Sequence, residues 1–168
     1  MSLVETDWLE KNLNYVKIID CSWHMPLTKR NGFEEYKKRH IPNSIFFDLD
    51  KNSKQDTDLP HMLVSLREWE EILSTMGIKN NDLIIIYDNS DVFSACRVWY
   101  TFLYFNHDPN LVSVLDGGLK KWMVEKKITT TNIKIFEKSS YIAKENKELV
   151  LSKNQINANI KNKSFELI

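Results

Sequence analysis

The chain has 168 residues, of which 42% are apolar and 27% charged, a mixture that is typical of one folded globular domain and excludes disordered, collagen-like and low-complexity proteins. Its 23 lysines and arginines are balanced by 23 aspartates and glutamates, so the charge does not favour a nucleic acid as partner. The longest apolar runs, such as Leu83–Tyr87, are far too short to span a membrane. We therefore expect a soluble protein that binds neither nucleic acid nor membranes.

The two cysteines, Cys21 and Cys96, are spaced neither like a disulfide framework nor like a metal site. Free cysteines, together with an acidic, helix-like N-terminus over residues 1–10 that lacks the pattern of a signal peptide, predict a cytoplasmic protein. The chain has four glycines and no G-x-S-x-G or H-E-x-x-H motif, so it offers no glycine-rich phosphate loop. We expect no cofactor and no metal.

Helices and strands alternate in the first part of the sequence. Thr6 is placed to cap a first helix, and Val16–Ile19 predicts a short buried strand after it. A helix over Phe33–Arg39 must end near Pro42, because the residue before a proline avoids the helical conformation. Ile45–Phe47 predicts the next strand.

The alternation continues with longer elements in the second part of the sequence. Five elements are expected in chain order: a helix over Arg67–Met76, capped by Ser65 and ended by Gly77; a strand over Leu83–Tyr87; a helix over Ala95–Phe105, capped by Ser94; a strand over Leu111–Leu115; and a helix after Gly117-Gly118. Five successive apolar residues in the first of these strands indicate burial on both faces, as in a parallel sheet. The order predicts an α/β fold with parallel strands.

The composition changes after residue 128. Residues 129–150 are polar and rich in lysine and asparagine, and we interpret them as a linker after a domain over residues 1–128. In residues 151–168, Ser152 caps a short helix and Phe165–Ile168 predicts a strand, in the same order as the helix and strand near the N-terminus. This similarity predicts the opening helix and strand of a truncated second domain.

The loop between the strongest strand and the helix that follows it is the candidate site. Ligands of a parallel α/β sheet bind beyond the carboxyl ends of the strands, and a helix N-terminus there favours an anion or a thiolate. Asp88 begins this loop, as either a general base or an acceptor of backbone N–H bonds that fixes the loop. Asn89, Ser90 and Asp91 follow as loop residues, and Ser94 closes the loop.

A cysteine in this loop would be an activated nucleophile, but both cysteines lie elsewhere. Cys96 falls in the first turn of the next helix and Cys21 just after the first strand, so a catalytic role is the minor alternative for each. His40 either caps a helix end or points into a cleft, and Arg97 either holds an anion or forms a salt bridge. The other histidines, His61 among them, lack metal-ligand spacing and are interpreted as loop residues.

Several short blocks, taken together, resemble the rhodanese family. In chain order the blocks are Asp20; Arg39-His40-Ile41-Pro42-Asn43-Ser44; Phe46-Phe47-Asp48; Asp58-Leu59-Pro60-His61-Met62-Leu63; Tyr87-Asp88; Phe93-Ser94-Ala95; Arg97-Val98-Trp99; and Leu115-Asp116-Gly117-Gly118 with Trp122. Over about residues 3–126 they are most similar to the N-terminal domain of tandem-domain thiosulfate/3-mercaptopyruvate sulfurtransferases. Two positions depart from the family pattern: Cys96 replaces a usual proline, and Asn43-Ser44 replaces a usual Gly-Ala pair.

The resemblance implies a fold and a reaction. The fold would be an open parallel sheet of about five strands with helices on both faces. The reaction would move sulfane sulfur through a cysteine persulfide in the loop of a C-terminal rhodanese domain, whereas Asp88 stands at the cysteine position in this domain. The implied partners are that C-terminal domain and a small sulfur-donor anion in a shared cleft, which the loop from Asp88 to Ser94, Arg97 and His40 could reach.

Two alternatives remain open from the sequence. The chain could be a self-contained pseudoenzyme module that binds a protein or an anion, or an enzyme that uses Cys21 or Cys96. An exposed apolar face would favour a C-terminal domain as partner, whereas a fully polar surface would favour the self-contained module. Because no thiol stands in the loop, we expect the chain alone to be inactive in sulfur transfer.

Overall fold

The structure, a computed structural model, describes residues 2–166 and contains one sheet of five parallel strands. The strands are β1 (Leu3–Val4), β2 (Lys17–Asp20), β3 (Ser44–Phe46), β4 (Ile84–Tyr87) and β5 (Val112–Leu115). Their order across the sheet is β1-β5-β4-β2-β3, and every pair is parallel. The predicted parallel sheet of about five strands is therefore confirmed.

Helices cover both faces of this sheet, as expected. They are α1 (Thr6–Asn12), α2 (Gly32–Lys38), α3 (Leu66–Thr75), α4 (Ser94–Tyr104), α5 (Gly118–Val124) and α6 (Lys153–Asn162). Alternate side chains of the strands enter two separate cores: Ile19 and Ile86 pack with α3 and α4, whereas Ile18 and Ile85 pack with α1 and α5. Within residues 2–166, no helix is long and apolar enough to cross a membrane.

The sequence signals for α3 were accurate. Ser65 caps the helix and forms a capping box with Glu68, in which each side chain bonds the other residue's backbone N–H. Gly77 follows the helix with φ +70°, a conformation that glycine adopts without strain. Trp69 and Leu73 then lie on the buried side of the helix, in the larger of the two cores.

Three predictions near helix and strand ends were wrong. The N-terminus was expected to be helical, but Leu3 and Val4 form the edge strand β1. Thr6 is the first residue of α1 rather than its cap, which is Glu5. Ser94 is likewise the first residue of α4, whose N-cap is Phe93 in a left-handed conformation with φ +53°. The backbone turns of neighbouring loops decide these ends, and side-chain preference alone does not reveal them.

Residues 129–146, which we call the strap, run along the domain without regular secondary structure. Thr130 and His40 exchange two backbone hydrogen bonds of 2.9 and 3.0 Å. Further along, Ser139 N donates to the Ser74 carbonyl at 2.8 Å, and Asn146 N donates to the Tyr104 carbonyl at 2.7 Å. The strap is thus attached at the ends of α2, α3 and α4.

The last helix, α6, is built mainly from local contacts. Ser152 caps it through a capping box with Gln155, as the sequence predicted. Asn159 is its one buried residue, and its side chain bonds the backbone of Phe165. The predicted strand over Phe165–Ile168 is not formed at Phe165 and Glu166, and its last two residues lie outside the described part of the chain.

Candidate functional site

The loop after β4 is organised around the carboxylate of Asp88. Asp88 Oδ2 accepts a 2.7 Å hydrogen bond from the Ala95 backbone N–H and lies 3.2 Å from the Ser94 hydroxyl, at the N-terminus of α4. The Asp88 carbonyl accepts a 2.9 Å bond from Leu119 N in α5. The Ala95 N–H, which could hold a thiolate or an anion, is therefore engaged by a carboxylate of the protein. These are the contacts of an aspartate that fixes the loop.

The segment that follows β2 supports the next two loop residues. The Ser22 hydroxyl accepts a 2.8 Å bond from Asn89 N and donates a 2.6 Å bond to Asp20 Oδ1. Ser90 Oγ donates to the Trp23 carbonyl at 2.6 Å. Burial raises the pKa of the Asp20 carboxyl to about 6, although the bonds from Ser22 oppose this shift. A buried acidic group thus lies beneath the candidate site.

Glu35 of α2 joins several charged and polar groups beside this loop. Its carboxylate accepts two 2.7 Å hydrogen bonds from the Arg30 guanidinium and one of 3.0 Å from the Asn89 amide. His24 Nε2 lies 3.2 Å from the same carboxylate. The bonds from Arg30 lower the pKa of Glu35, which therefore stays ionised. The side chain of Asn89 is therefore fixed by its hydrogen bond to Glu35.

Asp91 is the outermost of the predicted loop residues. Its carboxylate lies 2.5 Å from Lys120 Nζ and 3.5 Å from the Arg30 guanidinium. The hydrogen bond from Lys120 lowers the pKa of the Asp91 carboxyl. The exposed carboxylate therefore neutralises two cations at the rim of the loop, and both cations would otherwise attract an anion.

The close approach of α2 to the segment after β2 requires a glycine. A Cβ atom on Gly32 would lie 2.0 Å from the Ser22 carbonyl oxygen, which is backbone and cannot move aside alone. We expect Gly32→Ala to lower the free energy of unfolding by about 2 kcal/mol, because α2 must shift away from the sheet. Urea unfolding would measure this against Lys38→Ala, an exposed position of the same helix. Equal stabilities of the two variants would contradict the expected clash.

Neither cysteine belongs to the loop itself, and the two have different surroundings. Cys21 is fully buried with Sγ 3.4 Å from the Tyr87 carbonyl, and burial raises the pKa of its thiol, as do the carboxylates of Asp88 and Asp20. Cys96 is exposed and lines a cavity of about 420 Å³ whose walls include much of the candidate loop. A buried thiol of raised pKa is a poor nucleophile at neutral pH.

A histidine and an aspartate form a pair at the same edge that sequence reasoning missed. His61 Nε2 lies 2.8 Å from Asp50 Oδ1, and Asp50 also accepts a 2.9 Å bond from the Trp23 indole. The Trp23 and His61 rings meet edge to face, 4.7 Å apart. Trp23 N in turn donates a 2.9 Å bond to Ser90 Oγ, so the pair is linked to the candidate loop. No sequence spacing is diagnostic of such a pair, because both members lie in a turn-rich segment.

The remaining two predicted site residues have structural contacts. Arg97 is half-buried and donates a 2.7 Å bond to the His61 carbonyl. Within residues 2–166 it forms no salt bridge with a carboxylate, which was one of the two roles expected for it. His40 is fully buried, with its ring nitrogens 2.6 Å from the Tyr36 carbonyl and 3.2 Å from the Asn132 carbonyl. His40 is therefore placed at the end of α2 and against the strap, outside the cavity of the candidate loop.

Large apolar side chains are exposed on the loops at this edge of the sheet. They are Met25, Leu27, Leu59, Met62, Val92 and Phe93, which we call the apolar rim. The side chain of Phe93 is 73% exposed. Its backbone is left-handed, which is unusual for a bulky residue. In the described part of the chain, no cluster of histidine, cysteine or carboxylate side chains could hold a metal ion.

A comparison of the sequence with known protein families gives a match. The family model for the rhodanese-like domain matches residues 5–125, which is more than half of the chain. This chain belongs to the rhodanese-like domain family.

Similar proteins include sulfurtransferases of plants and bacteria. Thiosulfate/3-mercaptopyruvate sulfurtransferase 1, mitochondrial, of Arabidopsis thaliana is 46% identical over 122 residues, which cover 71% of this chain and 32% of that protein. Thiosulfate/3-mercaptopyruvate sulfurtransferase 2 of the same plant is 36% identical over 189 residues, covering 99% of this chain and 55% of that protein. The crystal structure of SseA from Escherichia coli, one of the 3-mercaptopyruvate sulfotransferases, superposes with a TM-score of 0.89 at 28% identity and covers 96% of this chain and 63% of SseA.

These relatives are longer than the sequence described here. The chain spans about a third of the first Arabidopsis protein and just over half of the second.

Proposed function

We propose that this chain is the first, non-catalytic rhodanese domain of a sulfurtransferase. That enzyme moves sulfane sulfur from thiosulfate or 3-mercaptopyruvate to a thiophilic acceptor through a cysteine persulfide in a C-terminal rhodanese domain. The observation that carries the proposal is the carboxylate of Asp88, which engages the N–H group at the start of α4 that a catalytic thiolate would use.

The chemistry explains why this loop cannot carry the sulfur. With thiosulfate, a cysteine thiolate attacks the outer sulfur, a new S–S bond forms, the old S–S bond breaks and sulfite leaves with the electron pair. Cyanide or a thiolate then attacks the persulfide and releases the original thiolate. A carboxylate at position 88 offers no sulfur nucleophile and repels the anionic donor. Cys21 is buried, and its thiol pKa is raised.

The apolar rim supports a second domain as the partner. Six large apolar side chains are exposed at the one edge of the sheet where rhodanese-type chemistry would take place. A self-contained module would be expected to present a polar surface there, because contiguous exposed apolar residues mark an interface. The greater length of the sulfurtransferase relatives is consistent with such a partner.

The pair of His61 and Asp50 gives this domain a chemical contribution to the shared cleft. Asp50 lies within hydrogen-bond distance of one ring nitrogen of His61 and thereby orients the imidazole. Loss of sulfur from 3-mercaptopyruvate leaves the enolate of pyruvate, which must take up a proton, whereas sulfite leaves thiosulfate without one. His61 is suited to supply that proton, and the pair therefore favours 3-mercaptopyruvate as the donor.

Intact-mass spectrometry of the purified chain tests the proposal. After incubation with thiosulfate or 3-mercaptopyruvate, we expect no added sulfur on Cys21 or Cys96 and no thiocyanate when cyanide is supplied. A rhodanese domain that has a loop cysteine serves as the positive control, and Cys96→Ser identifies any adduct on the exposed thiol. A stoichiometric adduct that cyanide discharges would show that the chain is itself an enzyme, and the proposal would be wrong.

A further inference from the structure

A second cavity opens at the opposite, amino end of the sheet. Its volume is about 250 Å³, and it lies where β2 and β4 begin. The residues that matter among those lining it are Asn14, Lys17, Asn43, Asp82, Lys134 and Phe136. None of them belongs to the candidate site, and the proposed sulfur chemistry does not use them.

Lys17 is unusual among the cationic side chains of the protein. The other half-buried lysines and arginines within residues 2–166, which are Arg30, Arg97, Lys121 and Lys127, each donate a hydrogen bond to an oxygen atom. The ammonium group of Lys17 contacts no carboxylate and no hydrogen-bond acceptor of the described residues, and it lies 4.3 Å from the centre of the Phe136 ring. Because no acceptor of the described residues engages it, this half-buried ammonium can still bind an anion.

A second ammonium group lies over the same aromatic ring. Lys134 Nζ is 5.0 Å from the centre of the Phe136 ring and 3.3 Å from Asn43 Oδ1. The Asn43 amide donates a 3.1 Å bond to the Leu13 carbonyl, which fixes the side chain that holds Lys134. Two cations are thereby brought to one cavity by contacts that involve no acidic side chain.

The charged groups near the Lys17 ammonium include two other lysines and one carboxylate. Burial lowers the pKa of its ammonium, and the positive charges of Lys134 and Lys79 lower it further. Asp82 acts in the other direction, but its Oδ2 atom accepts a 2.8 Å bond from the Lys79 backbone N–H and forms no ion pair with Lys17. A bound anion would relieve the repulsion between the two lysines.

We propose that this cavity binds a small oxyanion of the phosphate type, held between the ammonium groups of Lys17 and Lys134. Such a group accepts charge-assisted hydrogen bonds from both lysines at once. The cavity is large enough for inorganic phosphate or for the phosphoryl end of a phosphomonoester. The ring of Phe136 forms an apolar wall beside the bound group.

NMR titration of the ¹⁵N-labelled chain with inorganic phosphate, at constant ionic strength and pH, tests this proposal. We expect saturable shifts confined to residues near positions 14–17, 43, 82–83 and 134–136. Lys17→Met keeps the length of the side chain but removes its charge, and we expect it to weaken binding about tenfold, the loss of one charge-assisted contact. A second titration with glycerol phosphate shows whether the site prefers the free anion or a phosphomonoester.

Lys138→Met is the matched control, because Lys138 is an exposed lysine paired with Glu71. It should bind phosphate like the unaltered chain, and Lys134→Met should weaken binding as Lys17→Met does. Should Lys17→Met fail to fold, Lys134→Met supplies the same comparison from an exposed position. Shifts that are spread over all lysines without saturation, or an equal loss in Lys138→Met, would overturn the proposal.

Discussion

Replacing Asp88 with cysteine is expected to create a reactive thiolate in a domain that has none in its loop. The new sulfur would lie at the N-terminus of α4, where the Ala95 N–H now donates to the carboxylate. Such surroundings lower a thiol pKa from about 8.5 into the range of about 3.5–7.5. At pH 6.5 we therefore expect Asp88→Cys to react with iodoacetamide at least about tenfold faster than an ordinary exposed cysteine.

The comparison is best made in a chain in which Cys96 is serine, so that the new thiol is the accessible one. Asp91→Cys is the matched control, because position 91 belongs to the same loop but its side chain is largely exposed. Alkylation would be followed by intact mass over a range of pH. Equal rates for the two variants would mean that the loop does not activate a thiol, and the interpretation of Asp88 as the occupant of a catalytic position would fail.

The buried carboxyl of Asp20 is expected to make stability depend on pH. Its pKa is about 6 in the folded protein and near 3.8 in the unfolded chain, so the folded state binds more protons between those values. The contribution of Asp20 to the free energy of unfolding is therefore fully present below pH 3.8 and is lost as the pH rises through 6. The loss amounts to about 3 kcal/mol.

Asp20→Asn isolates this effect because asparagine does not titrate. Urea unfolding at several pH values would give the stability of the variant minus that of the unaltered chain. We expect this difference to rise by about 2.4 kcal/mol between pH 4 and pH 7. The pKa values of Glu35 and Asp91 are lowered, so these groups change the stability with pH in the opposite direction. Because both groups are present in both proteins, their contributions cancel in the difference. Parallel pH profiles would contradict a protonated Asp20 in the folded state.

The elements that the sequence predicted well are those whose signals are local and continuous. Ile84–Tyr87 is buried along its whole length, and an unbroken apolar run is what such a strand requires. Ser65 and Ser152 cap their helices through side-chain bonds to residues only three positions away. The loop at Asp88 could be located because the carboxyl end of a central parallel strand is where sites form.

What the sequence could not predict depends on partners that are distant along the chain. The contact of Asn89 with Glu35 joins residues 54 positions apart, and the bond between Asn146 and Tyr104 joins residues 42 positions apart. The pair of Asp50 and His61 forms because Trp23, from another segment, packs against both. Polar segments without periodicity carry no signal for such contacts, and the strap therefore could not be distinguished from a free linker.

The edge strand β1 affects the order in which the sheet can be completed during synthesis. Leu3 pairs with Val114 and Val4 with Leu115, so the first strand of this sheet in chain order pairs with its last strand. During synthesis, β5 lacks its partner β1 until the chain has grown past residue 115 and residues 3–4 pair with it. A fusion partner that holds residues 2–4 away from the sheet would leave that edge free to pair with another chain and to start aggregation.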